Sequence, residues 1–173
     1  MKFWQMLVWS ETDQYSEIAK AAEDNNFYGV MNADHAFFPK TIKSIYPYSE
    51  DGTAPMGDDR DYPDPWVTLA NMAAVTSKLR LSTAVYILPL RNPIEVAKAT
   101  GTLAILSNDR FMLGAGVGWM QEEYEAYGLT GRNALRLNKS LESYCSIEDQ
   151  SELITKLRVV KSKEEIVYVR KAA

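Results

Sequence analysis

Short apolar runs that alternate with helical patterns constrain the fold of this chain more than any other feature. The runs occupy residues 3–9, 27–31, 79–88 and 110–117. Near-continuous apolar runs of this length are typical of strands buried on both faces, as in parallel sheets covered by helices. Segments with apolar residues at helical spacing lie between them, so we expect right-handed strand–helix–strand units and a parallel sheet.

Two of the expected helices carry clear start signals. Asp64 comes before Pro65, and Asn92 before Pro93, which fits an N-cap followed by proline at the first helical position. The second of these helices should continue to about Leu106. With four parallel strands and their helices, the sequence predicts an α/β fold that forms a partial (β/α)8 TIM-type barrel. A complete barrel usually needs ~250 residues.

Three regions differ in character along the chain. Residues 1–128 hold the strand–helix units, including a long loop at 36–63 whose aromatic residues favour a packed loop. Residues 129–150 are polar and weakly periodic, and we interpret them as a linker or junction. Residues 151–173 are expected to form a short helical C-terminal tail, because a capping box precedes an apolar stripe there.

Charge and cysteine content narrow the choice of partners and compartment. The net charge of −4 and the pI of about 5.1 give no electrostatic reason to expect nucleic acid or a membrane as a partner. Cys145 is the only cysteine, so no intrachain disulfide can form. No apolar stretch has the length of a signal peptide's core or a membrane span. We therefore expect a cytoplasmic protein. One histidine and one cysteine also argue against a metal site.

Asp34 and His35 are the first candidates for chemistry. They follow the second predicted strand, at the end of a barrel strand where active sites are built. A histidine there could hydrogen-bond a cofactor or move a proton. The alternative is that Asp34 caps a turn and His35 is a solvated loop residue.

Glycines at alternate positions are the second feature. Gly114, Gly116 and Gly118 would weaken a strand unless something approaches its backbone closely, such as a flat cofactor ring or a neighbouring strand. A phosphate-binding loop fits poorly, because its third glycine would be at the wrong spacing.

The third strand and the turn after it form the remaining candidate. Alternation places Thr83 on one face, and Ala84 and Tyr86 on the other. Arg91 at the strand end could bind an anion, although its spacing alone favours a surface charge at a helix start.

Taken together, several motifs resemble those of the luciferase-like monooxygenase superfamily, and more narrowly its deazaflavin-dependent oxidoreductases. The motifs are Asp34-His35, residues 46–52, Asp64-Pro65-Trp66, residues 88–93, and residues 113–119 with Glu122-Glu123-Tyr124. Their order and spacing agree with the family over residues 1 to about 128.

The resemblance implies a (β/α)8 barrel with a cofactor at the carboxyl ends of its strands. It implies an oxidoreductase that transfers a hydride between a small organic substrate and a deazaflavin coenzyme of the F-420 type, with FMN and oxygen chemistry as the alternative. The catalytic residues would be Asp34 and His35. The implied cofactor-binding residues are Thr83, Ala84, Tyr86, Gly114, Gly116 and Gly118.

The second half of the family's barrel has no counterpart here, so we expect a truncated barrel that could be inactive alone. Its first and fourth strands would be open edges, through which the chain could form a homodimer. A non-catalytic interaction module is therefore the alternative function. The tail at 151–173 resembles the entry into the catalytic domain of the creatinase and Xaa-Pro peptidase superfamily. That family's metal-binding residues would lie downstream, so the resemblance implies no peptidase activity and suggests a join of two unrelated fragments.

Overall fold

The computed structural model describes residues 2–8, 10–55 and 61–129. The predicted tail and the predicted junction beyond residue 129 lie outside this part of the chain. The strands are Trp4–Met6 (β1), Gly29–Asn32 (β2), Arg80–Thr83 (β3), Tyr86–Ile87 (β4), Phe111–Met112 (β5) and Ala115–Gly116 (β6). The α-helices are Tyr15–Asp24 (α1), Pro65–Val75 (α2), Pro93–Leu106 (α3) and Gln121–Ala126 (α4). Short 3-10 turns occupy Thr12–Gln14 and Leu88–Leu90.

A parallel sheet of four strands organises the described residues. The strand order is β1-β2-β3-β5, and every neighbouring pair is parallel. Consecutive strands therefore lie side by side with helices between them in the chain, as repeated strand–helix units require. The predicted α/β fold with about four parallel strands is confirmed.

Two predicted strands are each divided in two. The run at 79–88 gives β3 and β4, and the run at 110–117 gives β5 and β6, with β4 and β6 paired in a separate parallel ribbon. At the point where the pairing changes from β3–β5 to β4–β6, the Thr83 hydroxyl donates to the Gly114 carbonyl (2.8 Å) and accepts from the Gly114 N–H (3.0 Å). The Thr83 side chain thus replaces the backbone hydrogen bonds between the strands at this point. A continuous apolar run in the sequence does not reveal such an interruption.

The helices cover one face of the sheet. Val30 and Leu81 point into a core that they share with Leu7, Leu69 and Met72, all fully buried. Because side chains alternate along a strand, the neighbouring residues point to the other face.

On that other face, four residues stand in register across the sheet. Met6 pairs with Met31, Met31 with Ser82, and Ser82 with Met112. Met112 at one edge is 46% exposed and Met6 at the other is 37% exposed. The sheet therefore presents an apolar second face at its two edges.

Both predicted helix starts are confirmed. The Asp64 carboxylate accepts from the N–H groups of Trp66 (2.9 Å) and Val67 (3.1 Å) at the start of α2. The Asn92 side chain accepts from the Ile94 N–H (2.9 Å) at the start of α3, which ends at Leu106 as expected. In each case proline takes the first helical position, where its missing N–H is not needed.

Candidate functional site

The Asp34 carboxylate joins two parts of the sheet at its carboxyl end. Its Oδ1 atom accepts from the Arg91 guanidinium (2.7 Å), and its Oδ2 atom accepts from the backbone N–H of Ile87 (3.0 Å). Although burial lowers the pKa of Arg91, its hydrogen bond and charge interaction with Asp34 raise that pKa above its ordinary value overall. Asp34 is buried, and each of its oxygens has a partner. The carboxylate therefore fixes the end of β2 to β4.

His35 is held by a buried carboxylate from α4. Its Nδ1 atom lies 3.0 Å from Glu123 Oε2, and the other oxygen, Oε1, accepts from the backbone N–H of Ala36 (2.5 Å). Glu123 is 1% exposed. The alternative of a solvated His35 is therefore wrong, because the side chain is only 8% exposed and has a defined partner.

Glu123 was not predicted as a site residue. In the sequence, Glu123 stands within the family motif Glu122-Glu123-Tyr124, and acidic residues at the start of a helix are explained by the helix dipole without any further role. The contact with His35 spans 88 positions of the chain. Its importance becomes visible only when β2 and α4 are seen together.

Aromatic rings surround the His35 imidazole. Phe38 and Tyr62 each lie 5.0 Å from its centre and Trp119 lies 6.0 Å away, all with their rings nearly perpendicular to it. Burial, with smaller contributions from Tyr46, Tyr15 and Glu123, raises the pKa of Tyr62 to about 12. Tyr62 therefore stays neutral at physiological pH, and these contacts confirm that the described part of the long loop is packed.

Tyr86 belongs to a second cluster, together with Asp34 and Arg91. Its hydroxyl accepts from the indole N–H of Trp66 (2.9 Å), and the Arg91 guanidinium lies 5.2 Å from the centre of its ring. Burial raises the pKa of Tyr86. Arg91 is thus occupied by Asp34 and Tyr86, so its cation already has partners inside the protein.

Close contacts between strand segments account for two of the glycines. A Cβ atom at Gly114 would lie 2.0 Å from the Thr83 carbonyl oxygen, and one at Gly116 would lie 2.5 Å from Val85 Cγ2. Gly118 has a φ of +72°, in the left-handed region that favours glycine. Of the two interpretations of this motif, packing between neighbouring segments is therefore present in the structure.

Beside these glycines the surface is small and apolar. Val85 is 42% exposed and lies on the Gly116 side of the ribbon, where its Cγ2 atom is 2.5 Å from the position of a Gly116 Cβ atom. Ala115 and Val117 are also exposed, and alternation places them on the side opposite to Gly116. No large polar side chain is interposed along β6, whose two residues are Ala115 and Gly116. Such a surface can accept the face of a flat ring system.

The long loop is also attached to α4 through Ser44. Its hydroxyl accepts from the backbone N–H of Gln121 (2.8 Å) and donates to Glu122 Oε2 (2.7 Å). Glu122 Oε1 accepts from the N–H groups of Lys43 (2.5 Å) and Ser44 (3.1 Å). Ser44 thus caps α4 from a distant loop, and the adjacent Glu122 and Glu123 both fasten the loop that begins at His35.

This attachment should have a distinctive dependence on pH. Burial raises the pKa of Glu122, but the hydrogen bonds from Ser44 and Lys43 outweigh it and lower that pKa from 4.5 to about 2. A lowered folded-state pKa stabilises the folded form above the unfolded value, and this contribution is lost as pH falls from 4.5 towards 2. We expect the backbone amide resonances of Lys43 and Ser44 to titrate in NMR spectra with a midpoint near the lower value.

Two variants check that assignment. Glu122→Gln should abolish the acid transition of the Lys43 and Ser44 amides, whereas Glu125→Gln on the same helix should leave it in place, because Glu125 contacts Gln121 on its own helix. A midpoint near 4.5 in the unmodified chain would contradict the expected lowering.

The described residues include a surface depression away from His35, but they meet the requirements of neither a metal site nor a membrane-spanning helix. A depression of about 520 Å³ beside Lys2, Asn26 and Arg80 lies at the amino ends of the strands, opposite to His35. Within the described ranges, no group of three or more histidine, cysteine or acidic side chains is arranged to hold a metal ion. The helices of that same part of the chain include none that is long and apolar enough to cross a membrane.

Comparison with known proteins identifies the family. The sequence profile described as luciferase-like monooxygenase matches residues 5–148. The chain belongs to the luciferase-like monooxygenase family. An uncharacterized protein of Mycobacterium tuberculosis (strain H37Rv) is 35% identical to this family member over 137 residues, which cover 78% of this chain and 48% of that relative. The chain thus spans about half the length of the curated relatives it matches.

Solved structures share the fold of this chain. Monooxygenase RslO1 from Streptomyces bottropensis matches with a TM-score of 0.62 and 23% identity, over 82% of this chain and 41% of its own. The oxygenating constituent of 3,6-diketocamphane monooxygenase from Pseudomonas putida, solved with FMN, matches with a TM-score of 0.58 and 17% identity. The match covers 76% of this chain and 33% of that one. The coenzyme F420 dependent tetrahydromethanopterin reductase from Methanopyrus kandleri matches with a TM-score of 0.54 and 21% identity. The match covers 75% of this chain and 30% of that one. The partial TIM-type barrel is confirmed.

Proposed function

We propose that this chain forms one half of the active site of an oxidoreductase that uses a flavin-type cofactor. In this proposal a hydride passes between a small organic substrate and a deazaflavin coenzyme, with FMN as the alternative cofactor. Membership of the family supports the reaction class. One structural relative was solved with FMN, and another is a coenzyme F420 dependent reductase. The observation that carries the proposal is the fixed position of His35 after the carboxyl end of β2.

The residues present fit a flat, largely apolar ring. Exposed Val85 and the neighbouring Gly116 offer an apolar surface without a large side chain. Trp119 links this region to the histidine, because it follows Gly118 in the chain and its ring contacts His35. A ligand at this end of the sheet would therefore meet apolar contacts from Val85 and β6 and one polar ring nitrogen.

When bound, the cofactor ring would supply the hydride chemistry, and the protein would orient the reactants and exclude water. We assign His35 the polar contact to cofactor or substrate, since its Nε2 atom has no hydrogen-bond partner among the described residues. Asp34 acts as a positioning residue, because both of its oxygens hold other groups of the chain. Thr83 and Tyr86 are buried and would act by fixing the backbone beneath the ring, together with Ala84, Gly114, Gly116 and Gly118.

A cofactor titration tests this proposal. The purified chain is titrated with oxidised deazaflavin coenzyme and separately with FMN, while the fluorescence of each cofactor is followed. We expect saturable binding of one of them. His35→Ala should weaken that binding by about tenfold, which corresponds to the loss of one hydrogen bond worth ~1.4 kcal/mol.

The control variant is Lys20→Ala, on the exposed side of α1, which should bind like the unmodified chain. If a folded chain binds neither cofactor, the proposed function is wrong for this chain. The exposed apolar edges at Met6 and Met112 would then favour the interaction module, which associates through its open edges as a homodimer or with another polypeptide.

A further inference from the structure

We propose that Glu123 is a positioning residue that fixes His35 in its Nδ1–H tautomer and so presents Nε2 as a hydrogen-bond acceptor. A ligand at the carboxyl end of the sheet would then be recognised through an N–H or O–H group that it donates to Nε2. The ligand part of this inference rests on the proposed function, whereas the tautomer is a property of the chain itself.

The two contacts of Glu123 determine which group donates. Ala36 offers a backbone N–H, which can only donate, and it is bound by Glu123 Oε1 at 2.5 Å. The other oxygen lies 3.0 Å from Nδ1 of His35. An ionised glutamate carboxylate has no hydrogen to donate and can only accept hydrogen bonds. Nδ1 must therefore carry the proton of this hydrogen bond.

The described aromatic neighbours pack against the ring of the imidazole. Phe38, Tyr62 and Trp119 lie nearly perpendicular to it, with 5.0–6.0 Å between ring centres. Neutral histidine has one protonated and one unprotonated ring nitrogen. With the proton fixed on Nδ1, the Nε2 lone pair becomes the acceptor, as in other sites where a carboxylate sets the histidine tautomer.

The single histidine of the chain makes the test direct. With ¹⁵N-labelled histidine, a two-bond ¹H–¹⁵N spectrum shows two ring nitrogens that belong to His35 alone. At a pH where the ring is neutral, we expect the pattern of the Nδ1–H tautomer in the unmodified chain.

The variant Glu123→Gln should invert this pattern. The glutamine carbonyl must face the Ala36 N–H, since an amide NH₂ there would place donor against donor. Its NH₂ group then faces Nδ1 of His35, which must become the acceptor. The ring should therefore change to the Nε2–H tautomer, and its two nitrogen resonances should exchange their chemical-shift ranges.

Glu122→Gln is the matched control, because the described hydrogen bonds of the Glu122 carboxylate go to Lys43 and Ser44. It should leave the Nδ1–H pattern unchanged. An Nε2–H pattern or an averaged pattern in the unmodified chain overturns the inference, even if Glu123→Gln does not fold. An unchanged tautomer in folded Glu123→Gln overturns it as well. Because no cofactor is present in these spectra, this outcome is independent of the cofactor titration above.

Discussion

Gly114→Ala should lower the stability of the folded chain by about 3 kcal/mol, which corresponds to a fall in Tm of ~10 °C. The added Cβ atom would lie 2.0 Å from the Thr83 carbonyl oxygen and 3.2 Å from its carbon. Backbone atoms cannot turn away as a flexible side chain can, so β3 and β5 must separate locally. That movement would also lengthen both hydrogen bonds between the Thr83 hydroxyl and the Gly114 backbone. Thermal unfolding followed by circular dichroism measures the effect.

Gly101→Ala is the control for the same change of residue. Gly101 lies within α3, is exposed, and has no heavy atom within 4 Å of the position that a Cβ atom would take. Alanine is favoured over glycine inside a helix, so this variant should be more stable by about 0.5–1 kcal/mol. Equal effects at Gly101 and Gly114 would show that the close approach at Gly114 does not constrain the fold.

The order of strands and helices was predictable because it depends on local patterns. The apolar runs around Val30 and Leu81 and the capping signals at Asp64 and Asn92 are all contained within short segments of sequence. The structure confirms those elements. It also confirms the parallel sheet, because short strand–helix units leave few other arrangements.

The division of two predicted strands into shorter ones was not predictable, because it depends on a contact between distant parts of the sequence. It depends on Thr83, whose side chain replaces a stretch of ladder by bonding Gly114, 31 positions away. A threonine in an apolar run looks like an ordinary strand residue. The change of pairing therefore appears only once the register of β3 and β5 is known.

The candidate site shows the same limit. His35 and Asp34 could be selected from their place after a strand, but their partners could not. Glu123 and Arg91 lie 88 and 57 positions away from them, and each has an adequate local explanation at a helix start. The sequence thus indicates which residues stand at the end of the sheet, whereas long-range contacts decide how each of them acts.

Arg110→Met should destabilise the chain by about 3 kcal/mol or more, because it removes a charged group that satisfies several buried backbone oxygens. Arg110 is 8% exposed and donates five hydrogen bonds. Their acceptors are the carbonyl groups of Ala73, Thr76, Leu79 and Ser107 and the Thr76 hydroxyl, at 2.7–3.0 Å.

These acceptors explain why methionine cannot substitute for Arg110. The carbonyls of Ala73 and Thr76 belong to the end of α2, where no further turn of helix supplies donors. The cation also lies where the helix dipole favours positive charge. Burial lowers the pKa of Arg110, so the guanidinium is held there at a desolvation cost that its five hydrogen bonds offset. Methionine fills similar volume but donates none of these five hydrogen bonds.

Arg80→Met is the matched control at the same end of the sheet. Arg80 donates one hydrogen bond, to the Asp109 carbonyl at 3.0 Å, in an exposed setting. Its loss should change the free energy of unfolding by no more than about 1 kcal/mol, as urea denaturation of both variants would measure. If Arg110→Met were as mild as Arg80→Met, water would have to reach the acceptors around Arg110. The end of α2 would then be held by apolar packing alone, and not by the hydrogen bonds that tie it to β3 and β5.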